Sequence, residues 1–260
     1  MSKSYRSAWW KYLAILGSAS LAFAATASSF SGNWQLNLEK SQLAGQTYII
    51  DKLGAGKYHF DSQGFAYDFD LDGKEYPTPD GGTASWRAVN ATTWEGTNRM
   101  HGKPTVTFHL SLKGDSIDGT AKLFKPDGSV TVQQTKLTRV SGGPGFLGKW
   151  KSTEVKGAPT SLQILIEGKN GIILKIPEGQ AVCKGNFDGK DYVLSEAGVP
   201  SKETLAFEKT SANAFRMTTK IDGKPYYVDV FTLSDDGRTL TDEGNPVSIN
   251  EPIKAVYERQ

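Results

Sequence analysis

Apolar and polar residues alternate along much of the chain with a period of two. Every second residue is apolar in segments 65–71, 106–112 and 162–166, which is the pattern of strands with one buried face. Asp-Gly pairs, which favour tight hairpin turns, follow or separate such segments. They lie at 72–73, 127–128, 188–189, 222–223 and 236–237. We count eight or nine strand candidates in each half of the chain and no long amphipathic helix, so the pattern predicts an all-β protein.

The pattern is written twice. Segment 30–34 (FSGNW) returns as FLGKW at 146–150, and segment 71–76 (LDGKEY) returns as FDGKDY at 187–192, both at an offset of 116 residues. Gly-Lys-Pro at 102–104 returns at an offset of 121, which indicates a short insertion. Repeated matches in the same order indicate a duplicated unit.

Segment 140–145 (VSGGPG) is rich in residues that break strands. We therefore expect a first barrel domain at 28–140, a Gly/Pro linker at 141–145 and a second barrel domain at 146–260. Each unit is large enough for its own core. Two tandem antiparallel up-and-down β-barrels fit best, because closure removes the exposed edges that many short strands would leave.

The motif Gly-x-Trp on the first strand of each half resembles the signature of the calycin superfamily of lipocalins, fatty-acid-binding proteins and avidins. The resemblance implies that the Trp closes one end of its barrel and that a basic residue on the last strand packs over it. A cation–π contact would favour that pairing. The residues concerned are Gly32, Trp34 and Arg139 in the first half and Gly148, Trp150 and Arg259 in the second.

The first 27 residues have the order of parts of a secretory signal peptide. Three basic residues precede a short apolar stretch at 12–24, and small-x-small sites allow cleavage after Ala24 or Ala27. An uncleaved amphipathic anchor helix is the alternative. We expect a secreted or periplasmic protein, without a transmembrane segment in the mature chain, since no later stretch has the roughly 20 apolar residues needed.

The charge changes sign when this leader is removed. The full chain has 30 basic and 28 acidic residues, net +2. The leader takes three basic and no acidic residues with it, which leaves 27 against 28 and a net charge of −1. A basic surface for nucleic acid is therefore not expected.

Cys183 is the single cysteine, so no intramolecular disulfide can form. Its strand-like surroundings favour a buried, inert thiol over a reactive or metal-bound one. The three Asp residues at 68, 70 and 72 resemble the start of a calcium loop, but the twelfth position is Pro79. We interpret them as a solvated strand face, with weak calcium binding as the alternative.

Little in the sequence indicates catalysis or a cofactor. His59 and His109 could form a zinc site if their strands adjoin, although neither has a neighbour at metal-ligand spacing. There is no Gly-x-Ser-x-Gly nucleophile elbow. We expect no metal and no cofactor, and a binding protein rather than an enzyme.

Five aromatic residues on the expected inward faces, together with Asp229, are the candidate ligand-binding residues. They are Trp86, Trp94 and Phe108 in the first half and Phe207, Phe215 and Asp229 in the second. Aromatic walls with a polar group are the usual composition of a small-ligand site. Asp229 has two interpretations: it faces water, with Val228 and Val230 inward, or it faces inward and pairs with Arg216 or Tyr192.

We therefore expect a non-catalytic binding protein for a small apolar or amphipathic molecule. Two alternatives stay open. One is a protein- or cell-wall-interaction module with filled barrels, and the other is an enzyme with its site in the mouth of the first barrel.

Overall fold

A computed structural model describes residues 29–157 and 161–260, so the signal peptide expected at 1–27 lies outside the described residues. The described chain is built from 20 strands and one short 3₁₀ turn at Pro177–Gly179. The strands are β1 Gly32–Leu36, β2 Thr47–Lys52, β3 Lys57–Ser62, β4 Phe65–Asp70, β5 Asp72–Pro77, β6 Thr83–Asn90, β7 Thr93–Met100, β8 Lys103–Lys113, β9 Ser116–Phe124, β10 Val130–Ser141, β11 Gly148–Gly157, β12 Ser161–Glu167, β13 Gly171–Ile176, β14 Ala181–Asn186, β15 Asp191–Glu196, β16 Val199–Lys209, β17 Ala214–Ile221, β18 Lys224–Leu233, β19 Thr239–Pro246 and β20 Ile253–Arg259.

The strands form two antiparallel barrels of ten strands each, which confirms the predicted all-β, two-barrel architecture. The first barrel consists of β2–β11, and its hydrogen-bonded ladder is open only between β4 and β5. The second barrel consists of β12–β20 together with β1, and its ladder is closed. Strands that follow one another in the chain are mostly neighbours in space, as short hairpin turns require.

The first strand of each repeat belongs to the other barrel. Strand β1 pairs with β12 and β20 of the second barrel, where Trp34 lies opposite Arg259. Strand β11 pairs with β10 and β2 of the first barrel, where Trp150 lies opposite Arg139. The two repeats therefore exchange their first strands.

This exchange moves the domain boundary. Segment 141–145, which we expected to separate barrels 28–140 and 146–260, lies in the turn between the paired strands β10 and β11. The first barrel instead runs without interruption over 47–157, and the second is completed by the start of the chain. The physical reason is that β10 and β11 are joined by a short connection, so hairpin pairing with each other is the local choice.

The barrels contact each other through the turns at one end of each. The turn between β5 and β6 meets β16, where the Lys202 amide donates to the Asp80 carbonyl at 3.0 Å. The side chain of Gln180 donates to the carbonyl of Phe124, at the end of β9, at 2.9 Å. In the first barrel, the Trp–Arg pair lies near the end of β10 and the start of β11. In the second barrel, it lies near the end of β20 and the start of β1.

The two interiors are packed differently. In the second barrel, the side chains of Phe207, Phe215, Met217 and Phe231 have no exposed surface. In the first barrel, several large inward residues keep partial exposure. No helix among the described residues is long and apolar enough to cross a membrane.

Candidate ligand-binding site

A cavity of about 170 Å³ lies inside the first barrel. Aromatic, aliphatic and uncharged polar side chains line it. Its lining consists of Tyr48, Ile50, Phe60, Ser62, Phe65, Tyr67, Trp86, Asn98, Phe108, Leu110, Ile117, Gly119, Thr120, Ala121, Gln133, Thr135, Leu137 and Val155. Two of the residues singled out from the sequence, Trp86 and Phe108, are among them.

Gly96 on strand β7 leaves room for two aromatic rings in the wall of the cavity. In the ladder, Gly96 lies between Trp86 on β6 and Phe108 on β8. The ring of Trp86 lies so close to Gly96 that an added Cβ atom would be 2.6 Å from Cε3. Without a side chain between them, the rings of Trp86 and Phe108 stack with centroids 5.6 Å apart and planes at 17°.

Trp86 is also fixed by a hydrogen bond. Its indole Nε1 donates to the hydroxyl oxygen of Tyr67 at 2.9 Å, and both side chains are buried. Burial raises the pKa of Tyr67, so the hydroxyl stays protonated near neutral pH. The Tyr67 hydroxyl therefore accepts the hydrogen bond from Trp86 while it still carries its own proton.

Trp94 is close to the cavity but not part of its wall. Its ring stacks on Phe146 with centroids 4.3 Å apart and also contacts Tyr58 and Phe69 edge-on. Phe146 belongs to the repeated motif before β11. Trp94 therefore packs with Phe146 at the end of the first barrel where β10 connects to β11.

The buried polar side chains inside the first barrel lie toward the opposite end, away from Trp94 and Phe146. Asn98 on β7 is aligned through Val106 and Leu123 with Thr131 on β10. Gln133 lies one inward position further along β10. Asn98 and Gln133 are each 7 % exposed and line the cavity. Asn98 Oδ1 and Thr131 Oγ1 are buried and have no hydrogen-bond partner in residues 29–157 and 161–260, an arrangement that costs free energy.

The matching residues of the second barrel form a packed core. Phe215 stacks on Phe231 with centroids 4.8 Å apart, and it contacts Phe30 and Phe187 edge-on. Phe207 lies in the same core. The position of Gly96 is taken by Met217 at the offset of 121 residues, so a side chain fills the corresponding space.

Asp229 faces the interior of the second barrel, the second of the two interpretations. Its partner is Asp242 rather than Arg216 or Tyr192, since Arg216 pairs with Glu208 and Tyr192 with Asp188. Asp229 is 2 % exposed and Asp242 4 %. Burial raises the pKa of Asp229 well above its usual range, and the neighbouring charge of Asp242 adds to this.

Burial likewise raises the pKa of Asp242, to about 8. Two carboxyl groups that share a hydrogen bond inside a packed core cannot both ionise at neutral pH. The pair is therefore held at least partly protonated. The sequence showed Asp229 but gave no signal that Asp242 lies beside it.

The cation–π pairing implied by the calycin resemblance is present, with the partners exchanged. The guanidinium carbon of Arg259 lies 4.2 Å from the centroid of the Trp34 ring, and that of Arg139 lies 4.1 Å from Trp150. We expected each Arg over the Trp of its own half. The exchange of first strands brings each Trp to the other repeat's last strand instead.

The backbone around these pairs repeats as well. Trp34 Nε1 donates to the Phe30 carbonyl at 3.0 Å, and Trp150 Nε1 donates to the Phe146 carbonyl at 2.9 Å. Each Arg donates to backbone carbonyls of the motif that precedes its Trp. In each barrel, the motif and its Arg therefore pack together at the end where the last strand of one repeat meets the first strand of the other.

The candidate metal ligands of the sequence are not brought together. His59 lies on β3 and His109 on β8, which are not neighbours in the sheet. His59 Nδ1 is 2.7 Å from Asp68 Oδ1, and His109 Nδ1 is 3.5 Å from Glu95 Oε1.

The acidic strand face is paired with basic side chains. Lys57 Nζ is 3.2 Å from Asp68, and Lys74 Nζ is 2.5 Å from Asp72. This is the solvated face expected from the sequence rather than a converging set of ligands.

A cluster of acidic residues that the sequence did not reveal lies where the barrels meet. Carboxylate oxygens of Asp80, Glu196 and Glu203 lie within 4.8 Å of one another, and all three residues are buried. Oxygen ligands of this kind could hold a divalent cation. Asp80 lies in the turn between β5 and β6, Glu196 ends β15 and Glu203 lies within the neighbouring strand β16, so the packing of the barrels brings Asp80 to the two Glu residues.

Glu178 is a further buried acid near this contact. Ser161 Oγ donates to it at 2.8 Å, and Lys125 Nζ of the first barrel lies 4.0 Å away. Burial raises the pKa of Glu178 to about 7.

Cys183 is buried, as expected from its surroundings in the sequence. Burial raises the pKa of its thiol to about 12, so the nucleophilic thiolate is not formed near neutral pH.

A second hollow, of about 680 Å³, lies over the outer face of strands β6–β9. Its rim carries Arg87, Glu95, His109 and Lys122, and two of these charges neutralise each other in the Arg87–Glu95 ion pair at 2.5 Å. Such exposed pairs contribute little to affinity or stability.

The chain matches no protein-family model, no curated protein and no solved structure.

Proposed function

We propose that this protein is an exported, non-catalytic binding protein that holds one small, partly apolar molecule inside the first barrel. The observation that carries the proposal is the cavity of about 170 Å³ between Trp86, Phe108 and the polar side chains of Asn98 and Gln133. Concave, mostly apolar sites with a few polar groups are the usual form of small-molecule sites.

The contrast between the barrels supports this assignment. Gly96 of the first barrel corresponds to Met217 of the second, and several aromatic residues of the first interior keep partial exposure, whereas the second interior is filled by side chains. A barrel that only supported the fold would gain stability from filling the same space.

A calycin-like origin and export are part of the same proposal. The Gly-x-Trp motif and the Arg over each Trp support the first, and the leader-like segment at 1–27 supports the second. Cleavage is proposed after Ala24 or Ala27.

The test is titration with a panel of small neutral molecules, such as indole, toluene and 1-hexanol, followed by calorimetry. We expect one-to-one binding of at least one of them to the wild-type protein. In the variant Ala121→Phe the new ring occupies the cavity, so binding is expected to fall at least tenfold.

Val132→Phe is the matched control, because Val132 is 42 % exposed and lies between the inward Thr131 and Gln133, on the outer face of β10. It should bind like wild type. Absence of binding by every member of the panel, or equal binding to Ala121→Phe, would contradict the proposal.

A further inference from the structure

We infer that the cavity of the first barrel takes an uncharged, single-ring molecule that carries one hydroxyl group, a ligand of the phenol class. This inference rests on the proposed binding function and specifies the chemistry of its ligand. Four observations lead to it: the volume of the cavity, the absence of charge in its lining, the aromatic walls and one unsatisfied buried acceptor.

The volume limits the ligand to about one ring. A cavity of about 170 Å³ is close to the roughly 150 Å³ cavity that accommodates benzene in an engineered apolar core. It is well below the 300–1,000 Å³ typical of sites for drug-sized ligands. A long acyl chain or a tetrapyrrole does not fit this space.

The lining excludes a charged ligand. None of the 18 residues that line the cavity is Asp, Glu, Lys, Arg or His. A carboxylate or ammonium group transferred there would lose its hydration without gaining an opposite charge, which is a large cost. The ligand is therefore neutral.

The walls favour a flat ring. Trp86 and Phe108 are stacked nearly parallel, and Phe60 and Tyr67 form a neighbouring tilted pair with centroids 5.4 Å apart. All four line the cavity. Offset and edge-on contacts with aromatic rings add to the burial of a planar ligand.

The hydroxyl is required by Asn98. Its side chain is more than nine-tenths buried and lines the cavity, yet Oδ1 has no hydrogen-bond partner among the residues that the structure describes. A buried acceptor without a donor is costly, and a ligand hydroxyl supplies the missing donor. Specificity follows, because a ligand without this group leaves Asn98 unsatisfied.

The experiment compares three molecules of nearly the same shape: p-cresol, toluene and 4-methylbenzoate. Calorimetric titration at neutral pH measures the dissociation constant of each with the full-length mature chain. We expect p-cresol to bind about tenfold more tightly than toluene, the ratio that one hydrogen bond provides. We expect no measurable binding of 4-methylbenzoate.

Two variants assign the difference to Asn98. Asn98→Leu removes the acceptor and should reduce the preference for p-cresol over toluene to within about twofold. Thr97→Val is the matched control, because Thr97 lies next to Asn98 on β7 but points to the outer face. It should keep the tenfold preference.

The outcomes separate this inference from the proposed function. If toluene binds as tightly as p-cresol, or 4-methylbenzoate binds as tightly as either, the inference is overturned while the binding function stands. If none of the panel molecules and none of these three binds, the binding function itself fails. Should Asn98→Leu not fold, the comparison on the wild-type chain decides the matter alone.

Discussion

The two barrels differ in how the buried polar side chains of their interiors are hydrogen-bonded. In the second barrel, Asp229 and Asp242 share a hydrogen bond, and burial keeps them from ionising together. In the first barrel, Asn98 Oδ1 has no hydrogen-bond partner within the described part of the chain. Asp229 Oδ2 and Asp242 Oδ1 are themselves buried without a further partner among the described residues, but they lie in a packed core, whereas Asn98 lines a cavity that a ligand can enter.

The carboxyl pair predicts a pH dependence of stability. Because folding raises the pKa values of Asp229 and Asp242 above the unfolded value near 4, the folded state holds protons that the unfolded state releases. Their contribution is fully present below about pH 4 and is lost as the pH rises toward the folded pKa of about 8 for Asp242. Glu178, with a pKa of about 7, acts in the same direction.

Asp242→Asn should therefore have little effect at pH 4 and increase the free energy of unfolding by about 1–3 kcal/mol at pH 9. Urea denaturation at the two pH values measures this. The control is Asp235→Asn, since Asp235 is exposed in a turn. Equal effects of Asp242→Asn at both pH values would show that the pair is not protonated in the folded state.

The orientation of Asp229 illustrates a limit of sequence analysis at this scale. Tyr227, Asp229 and Phe231 alternate with Val228 and Val230, so either face of β18 could be buried. The structure turns the larger aromatic residues inward. Asp229 is therefore buried as well, because every second residue of a strand shares a face.

At the scale of the elements, strand β7 decides whether the first barrel is hollow. Gly96 lets the Trp86 ring lie flat against the β7 backbone, and Met217 fills the matching position in the second barrel. The sequence repeat identifies this substitution. That it leaves a cavity depends on which residues lie opposite in the ladder.

Gly96→Ala should therefore displace Trp86. The added methyl group would lie within 3 Å of the indole ring, so we expect a loss of stability of about 1–3 kcal/mol from overpacking. We also expect a change in the buried Trp fluorescence and weaker binding of p-cresol.

Gly54→Ala serves as the control, because Gly54 is exposed and has no atom near the position of an added Cβ. Thermal unfolding and fluorescence measure both variants. Wild-type stability in Gly96→Ala would contradict the close contact between Trp86 and β7.

At the scale of the whole molecule, the exchange of first strands makes the two repeats unequal. The first barrel is one continuous stretch of chain, and the second needs the start of the chain to close it. Arg259 over Trp34 joins residues 225 positions apart, while Arg139 over Trp150 joins residues of one hairpin. Closure of the second barrel therefore depends on the pairing of β1 with β20, whose residues lie near opposite ends of the chain.

This topology predicts which fragment folds alone. A fragment of residues 44–157 contains all ten strands of the first barrel and should unfold cooperatively in urea with dispersed amide NMR signals. A fragment of residues 28–140 lacks β11, so Trp150 is missing and β2 and β10 lose their shared neighbour. It should show neither property, and cooperative unfolding of this fragment would refute the strand exchange.

The resemblance to the calycins implied the pairing of Trp with Arg, and the sequence by itself determined the all-β class, the duplication and the inward positions of Trp86 and Phe108. These follow from periodicity and from a repeated motif, which are local properties of a strand. The tertiary structure alone decided which Arg meets which Trp, where one barrel ends, which interior is hollow and which acids meet at the contact between barrels. Such features depend on pairings between strands far apart in the chain, and a period of two carries no information about a strand's neighbours.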